Sequence, residues 1–371
     1  MNYLILGGGI SGLSAAWFLS RKHPNAKITL LEKENRLGGW IQTTRQNGYL
    51  FEKGPRTFPL GRSPFLLALI RDLGLEIIHS DPAASKRYLW HKGRLRSAGS
   101  FLPRLIPYLI RELFIPPATC DDESIYDFAA RRFSPKIAQT LFDPLTLGIY
   151  AGDIRKLSIR SCFPKLFEWE RTKGSVVRGL FSSPKQAKGL FTLPNGMETL
   201  IHALQKQLPI EIVLNCKVES IGDRQVIAGG KTWYADQIIS TLPSARPAKS
   251  LWVVHLSFEG PVLRKRGFGY LVPSQEKESV LGMIWDSAIF PQQNQGNETR
   301  LTAMVREEEK EPLQAALRAL ALHLGIKAQL SHSSLFYAQN AIPQFEVGGP
   351  FSEGISVEDC IRRSFQIIST N

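Results

Sequence analysis

The first run of unbroken apolar positions is Tyr3 to Leu6, the pattern of a short buried strand. A helical repeat follows, with Ile10, Leu13, Ala16, Trp17 and Leu19 on one face, and "KITLLEK" supplies a second strand. The span from residue 1 to about 78 therefore reads as the opening of a βαβ arrangement. Residues 79–185 read as largely helical, with breaks at "IPPATCDDES" and "FSPK". "GMETLIHALQKQLPIEIVLNCKVESIGD" predicts a helix and strands, and "YADQIISTLP" a buried strand. Residues 249–335 carry strand patterns in "SLWVVHLSF" and "VLGMIW", then the helix "EPLQAALRALALHLG". There is no internal repeat or low-complexity tract.

Composition narrows the class. The 371 residues are 43% hydrophobic and 21% charged, an ordinary folded protein long enough for two or three domains. Lys and Arg number 46 against 33 Asp and Glu, a formal net charge of +13. Such a surplus points to an anionic partner: a nucleic acid, a phospholipid surface or an acidic small molecule. Cys120, Cys162, Cys216 and Cys360 lie far apart with no C-x-x-C pair, which argues against a zinc ribbon and fits a reducing compartment. The seven histidines form no H-x-x-x-H or H-x-H arrangement, so no metal site is expected. Glu168, Glu170 and "REEEKE" read as solvated charge. No signal peptide precedes the first strand, and no apolar stretch reaches the roughly 18 to 20 residues of a membrane span.

The chemistry begins where the first strand ends. Gly7-x-Gly9-x-x-Gly12 opens the first helix: Gly7 permits a tight bend, Gly9 lets a pyrophosphate approach the backbone, and Gly12 lets helix and strand pack closely. The helix N-terminus offers unpaired amides and the positive dipole end to an anion. Glu32, ending the second strand 20 residues past Gly12, stands where a carboxylate accepts bonds from an adenosine ribose and repels a 2′-phosphate. NADP is thereby disfavoured, and FAD and NAD remain.

"EKENRLGGWIQTT" separates the two. Its E-x-x-x-R-x-G-G run, Glu32 to Gly39, resembles the second nucleotide-contacting segment of the flavin-dependent amine oxidase superfamily, in which Arg36 would offset pyrophosphate charge and Gly38-Gly39 let the main chain run close to FAD. "GGWIQTTRQNGYLFEKGPRTF", "DPLTLGIYAGDIRKLSIRSCFPKLFEWE" and "GFGYLVPSQEKESVLGMIWDSAIFP" resemble the oxygen-dependent, FAD-containing protoporphyrinogen oxidase family, and "FSEGISVEDCI" resembles the segment that closes the FAD site. The resemblance spans essentially the whole chain.

It implies an α/β fold: a Rossmann-like FAD domain of the GR2 type, a substrate domain with an antiparallel sheet, and a helical membrane-associating lobe. The expected division is 1–78, 186–247 and 336–371 for FAD, 79–185 for the helical lobe and 248–335 for substrate. The implied activity is six-electron oxidation of a porphyrinogen in heme biosynthesis, with O2 as acceptor and hydride passing to flavin N5. No amino-acid side chain is then catalytic in its own right.

By the same resemblance, cofactor contacts fall on Gly7, Gly9, Ile10, Ser11, Gly12, Glu32, Lys33, Arg36, Gly38, Gly39, Trp40, Gly54, Val218, Ile355, Ser356 and Val357. Arg87 maps to the propionate anchor, with Arg56 assisting near flavin or substrate. Phe268, Leu271 and Met304 map to the ring pocket, and the Gly148 carbonyl to an acceptor for pyrrole N–H groups. Expected partners are the porphyrinogen, O2 and a membrane surface, with a homodimer allowed and no nucleic acid. A cytoplasmic location follows, peripheral on the cytoplasmic face of the membrane. "FLPRLIPYLIRELFIPPA" fits either an interfacial helix or one packed in the protein.

The chain departs from the family by being short. "TLPSARPAKSLW" near Ser244, "LTAMVREEEKEPLQ" near Arg306 and "IPQFEVGGPFSEG" near Gly348 run through where the resemblance leads one to expect more chain. Two alternatives stay open: an FAD-dependent coproporphyrinogen III oxidase, and a catalytically inactive binding module of the heme pathway. An amine oxidase or carotenoid desaturase of the same superfamily is disfavoured by the two long matches at 143–170 and 267–291.

Overall fold

The computed structural model describes residues 1–184, 186–243, 246–349 and 354–370. Four parallel strands form a nucleotide-type sheet in the order Glu211–Val213, Lys27–Leu31, Asn2–Leu6, Gln237–Ser240. The Tyr3–Leu6 run is apolar throughout because both faces of the sheet are covered. Tyr3 and Ile5 pack with Leu13 and Trp17 of the first helix, Ile10–Lys22, whereas Leu4 and Leu6 pack with Val226 and Ala228 on the opposite side. The last helix, Val357–Thr370, lies against the first and buries Val357, Ile361 and Ile368 in the same core. The expectation of a buried strand at "YADQIISTLP" needs correction. Gln237–Ser240 is an edge strand whose end residues are exposed, because nothing among the described residues pairs with its outer flank.

A second sheet has seven strands, ordered His332–Pro343, Ala248–Phe258, Thr299–Arg306, Val280–Ile284, Gly269–Leu271, Arg87–His91, Arg94–Ser97. All neighbours are antiparallel except Gly269–Leu271 with Arg87–His91, so the sheet is mixed. Two expected boundaries shift with it. Arg87–Ser97 belongs to this sheet and not to a helical span, because "RYLWHKGRLRS" alternates about a tight turn in which Lys92 (φ 52°) and Gly93 (φ 67°) both adopt positive φ. The boundary at 335/336 falls inside the strand His332–Pro343. One face is closed by the helix Pro312–Leu324, whose Ala315, Ala316, Ala319 and Leu320 pack on Val254, Leu256, Met283 and Leu301.

Helices between Leu102 and Ser182 make a third layer. At its centre the wholly buried Arg132 pairs with the wholly buried Glu112, which also accepts from Ser175 Oγ and the Val176 amide. Paired in this way, two interior charges are tolerated. Glu170, expected in solvent, is instead buried and bound to Arg131 at 2.7 Å. Among the described residues no helix is long and apolar enough to cross a membrane.

Candidate functional site

The glycine turn has the geometry its spacing requires. Gly7 sits at φ 102°, outside the range of most side chains, and a Cβ on Gly12 would lie 1.9 Å from the Gly7 carbonyl oxygen. Gly9 caps the first helix with no side-chain bond, and a Cβ there would meet nothing within 4 Å among the described residues. Open space therefore adjoins uncapped helix amides, which is what a dinucleotide pyrophosphate needs. The Gly38 amide donates to the Gly8 carbonyl at 2.8 Å, and Gly38 forms a bridge with Gly9, so the second glycine pair is brought onto the first. Gly39 leaves 3.4 Å between its missing Cβ and Gly9 Cα.

Glu32 is buried and accepts from the Gly8 amide at 2.6 Å and the Glu34 amide at 2.9 Å, which fix its carboxylate beside the turn. Arg36 spends its guanidinium on the turn, donating to the carbonyls of Leu37 (2.9 Å) and Gly39 (2.6 Å). Its charge is thereby fixed beside the glycine turn. Lys33 is exposed and pairs with Glu34 at 3.4 Å. Ile10 is buried on the first helix, and the Ser11 carbonyl accepts from Ser364 Oγ at 2.8 Å. Trp40 is exposed, and its carbonyl would stand 2.0 Å from a Cβ on Gly54, so only glycine lets that segment approach.

Val218 packs beside Leu31 just past Cys216, whose amide bonds the Glu32 carbonyl at 2.8 Å, so it lies near Glu32. At the other end, Ser356 caps the last helix through Asp359, Val357 is buried and Ile355 exposed; the start of "FSEGISVEDCI" and the connection at Ser244 lie outside the described residues. The nucleotide half of this set fits FAD.

The face of the large sheet turned away from the helix Pro312–Leu324 carries the residues expected to line a pocket. Register places one row across all seven strands: Phe336, Val253, Met304, Gly282, Leu271, Leu89 and Arg96. The neighbouring row runs Ser334, His255, Thr302, Ile284, Gly269 and Arg87. Paired residues share a face, so Leu271, Met304 and Arg87 are brought together. Phe268 joins them: the Arg87 guanidinium lies 4.0 Å from its ring centroid. The helix Asp143–Tyr150 closes over this face at Gly148, where a Cβ would meet Leu271 Cδ2 at 2.4 Å. Five of the six expected substrate residues thus cluster.

Arg56 behaves differently. Its Nη1 donates to Asp286 Oδ1 at 2.9 Å and Thr302 Oγ1 at 2.7 Å, and its Nη2 to the Glu52 carbonyl at 2.8 Å. It is held by the protein at the edge of the same face, through Thr302, where it clamps the segment to the sheet. Phe51 stacks on His255, and Lys53 lies over the Phe336 ring, so the segment from Phe51 to Arg56 grips the same face. Between Glu52, Arg56, Asp286 and Arg300 is a cavity of about 10 Å³, room for about one water.

Burial dominates the electrostatics here. It pushes the Glu52 carboxyl up to about 7, against the bonds it accepts from the Met197 amide and Thr43 Oγ1. Burial, then the charge of Arg56, drives His255 down to about 3, so the ring is neutral and bonds Thr302 Oγ1 at 3.0 Å. Sequence reasoning missed Glu52, Asp286, Thr302 and His255. The available signal was a lone polar residue in an apolar strand pattern, as in "SLWVVHLSF" and "VLGMIWD".

Residues 10–249 match the family described as flavin containing amine oxidoreductase. The protoporphyrinogen oxidase of Homo sapiens is 32% identical over 460 positions, covering 98% of this chain and 96% of that protein. The coproporphyrinogen III oxidase of Bacillus subtilis is 27% identical, covering 99% and 97%. A crystal structure from Exiguobacterium sp. 255-15 shares the fold with a TM-score of 0.82 at 22% identity, over 100% of this chain and 98% of its own. Setting 460 aligned positions against 371 residues leaves at least 89 positions of the human alignment without a counterpart here, in keeping with the short connections. The chain belongs to the flavin-containing amine oxidoreductases and, among them, to the protoporphyrinogen oxidase family.

Proposed function

We propose that this protein oxidises protoporphyrinogen IX to protoporphyrin IX in heme biosynthesis, with FAD as cofactor and O2 as terminal acceptor. The carrying observation is that one segment, Phe51 to Arg56, touches both the nucleotide cradle, through Gly54 against Trp40, and the face of the seven-stranded sheet that holds Leu271 and Met304, through His255, Thr302 and Phe336. FAD supplies the two-electron acceptor. Six hydrogens leave the substrate in three two-electron steps, so three O2 are reduced to three H2O2.

The chain's own residues bind and orient. Leu271, Met304 and Phe268 offer a flat apolar bed, Gly148 narrows it, and Arg87 pairs with a propionate at its edge. The domain division carries over with the hairpin Arg87–Ser97 reassigned to the substrate domain. Aerobic incubation with protoporphyrinogen should yield fluorescent porphyrin and three H2O2 per ring; no porphyrin above the autoxidation rate contradicts the reading.

A second reading, coproporphyrinogen III, is favoured by the cationic rim at Lys86, Arg264, Lys265 and Arg266, all exposed, where the Phe268 amide bonds the Lys86 carbonyl and Tyr88 Oη bonds that of Arg266. The two substrates' kcat/KM values decide between them.

Peripheral membrane contact belongs to the same proposal. Leu102, Ile106, Ile110 and Phe114 recur every four residues along and just past the helix Leu102–Glu112, and all are exposed. Vesicles of anionic lipid should sediment the protein, and Ile110→Glu with Phe114→Glu should abolish that; equal sedimentation contradicts it.

A further inference from the structure

We propose that Arg96 is a second carboxylate anchor, working beside Arg87 to hold the two acidic arms of a porphyrinogen at the edge of the seven-stranded sheet. The proposal rests on the porphyrinogen reading above and assigns the site its charge count.

Register carries it. Leu89 pairs with Leu271 on one side and with Arg96 on the other, so Arg96 ends the same row that holds Met304, Gly282 and Leu271. Arg87 lies two residues before Leu89 on the same face, making Arg87 and Arg96 diagonal neighbours across adjacent strands, about 7 Å apart at that geometry. The alternation of the hairpin confirms the facing: Tyr88, Trp90 and Leu95 pack into the opposite core with Tyr270 and Met283.

The side chain also lacks an acceptor. Arg96 is half-buried, its Nε is fully buried without a hydrogen-bond partner, and it makes no ion pair among the described residues. A guanidinium brought to the rim of an apolar face and left unpaired calls for an anion. Arg87 likewise has a ring for a partner but no carboxylate among the described residues. Protoporphyrinogen IX carries its two propionates on neighbouring pyrroles, so two adjacent guanidiniums suit both arms at once and fix which edge of the ring enters last.

The test is equilibrium binding, read by fluorescence anisotropy, of protoporphyrin IX and of its dimethyl ester to the FAD-loaded protein. Arg96→Ala should weaken binding of the free acid about tenfold and leave the ester unchanged. Arg96→Lys should recover part of the loss, and Arg87→Ala with Arg96→Ala should bind acid and ester alike. If Arg96→Ala lowers the thermal midpoint, Arg96→Gln is read in its place. Free-acid binding unaffected by either variant, or acid and ester weakened equally, overturns the proposal. A wild-type protein that oxidises protoporphyrinogen while its Arg96 variants bind normally refutes the anchor alone; a wild type that neither binds nor oxidises it refutes the porphyrinogen reading with it.

Discussion

Arg56 and Asp286, 230 residues apart in the chain, meet at 2.9 Å where the segment Phe51 to Arg56 lies on the seven-stranded sheet. Their side chains are only 11% and 16% exposed, and Thr302 Oγ1 donates to Asp286 Oδ2 at 2.7 Å while accepting from Arg56. The pair ties the segment after the glycine turns to the seven-stranded sheet.

Removing one member leaves the other charge largely buried and without its counter-ion. Asp286→Ala should destabilise the protein by about 2–4 kcal/mol in urea denaturation, and Asp286→Asn by less. Arg56→Met combined with Asp286→Leu should recover part of the loss, because the desolvation cost disappears with both charges. Additive losses would show that the pair does not act as a unit.

Glu52 gives stability a dependence on pH. Its carboxyl stays protonated in the fold to about 7 but ionises near 4.5 in the unfolded chain. Its contribution is therefore fully present below pH 4.5 and lost as pH rises through 7. Glu52→Gln should flatten the fall in stability between those values, as read from urea midpoints at a series of pH. An unchanged slope would mean the carboxyl is already ionised at pH 5.

His255 acts in the opposite direction. Held near 3 in the fold and near 6.5 when unfolded, it withholds a proton that the unfolded chain takes up, so stability falls as pH drops from about 6.5 toward 3. His255→Gln keeps a polar group for Thr302 and should remove that acid-side loss. The same urea series checks it, and an undiminished loss would place the acid sensitivity elsewhere.

The two helix-turn glycines should separate folding from cofactor binding. A Cβ at Gly12 collides with the Gly7 backbone, so Gly12→Ala should lower the thermal midpoint of the apoprotein by several degrees. A Cβ at Gly9 meets only open space, so Gly9→Ala should leave the apoprotein midpoint unchanged and weaken FAD more than tenfold by fluorescence titration. Normal FAD affinity in Gly9→Ala would move the pyrophosphate away from this turn.

Much of this was legible in the chain itself, for local reasons. The glycine turn, Glu32 and the second glycine pair lie within 39 residues and read directly as strand, turn and helix. The hairpin Arg87–Ser97 was misread as part of a helical span because its neighbour in the sheet, Gly269–Leu271, arrives far later in the chain, and because its turn is Lys-Gly instead of Asn-Gly. The polar cluster around Arg56 was hidden for the same reason: spacing along the chain does not report a contact between residues 56 and 286. Arg96 became visible only when the register aligned it with Leu271 and Met304.

The most direct test of the central claim is anaerobic mixing of the FAD-loaded protein with protoporphyrinogen IX, following the flavin's visible absorbance. The account predicts rapid bleaching, recovery of the oxidised spectrum when O2 is admitted, and appearance of porphyrin. A flavin that stays oxidised under excess protoporphyrinogen would contradict it.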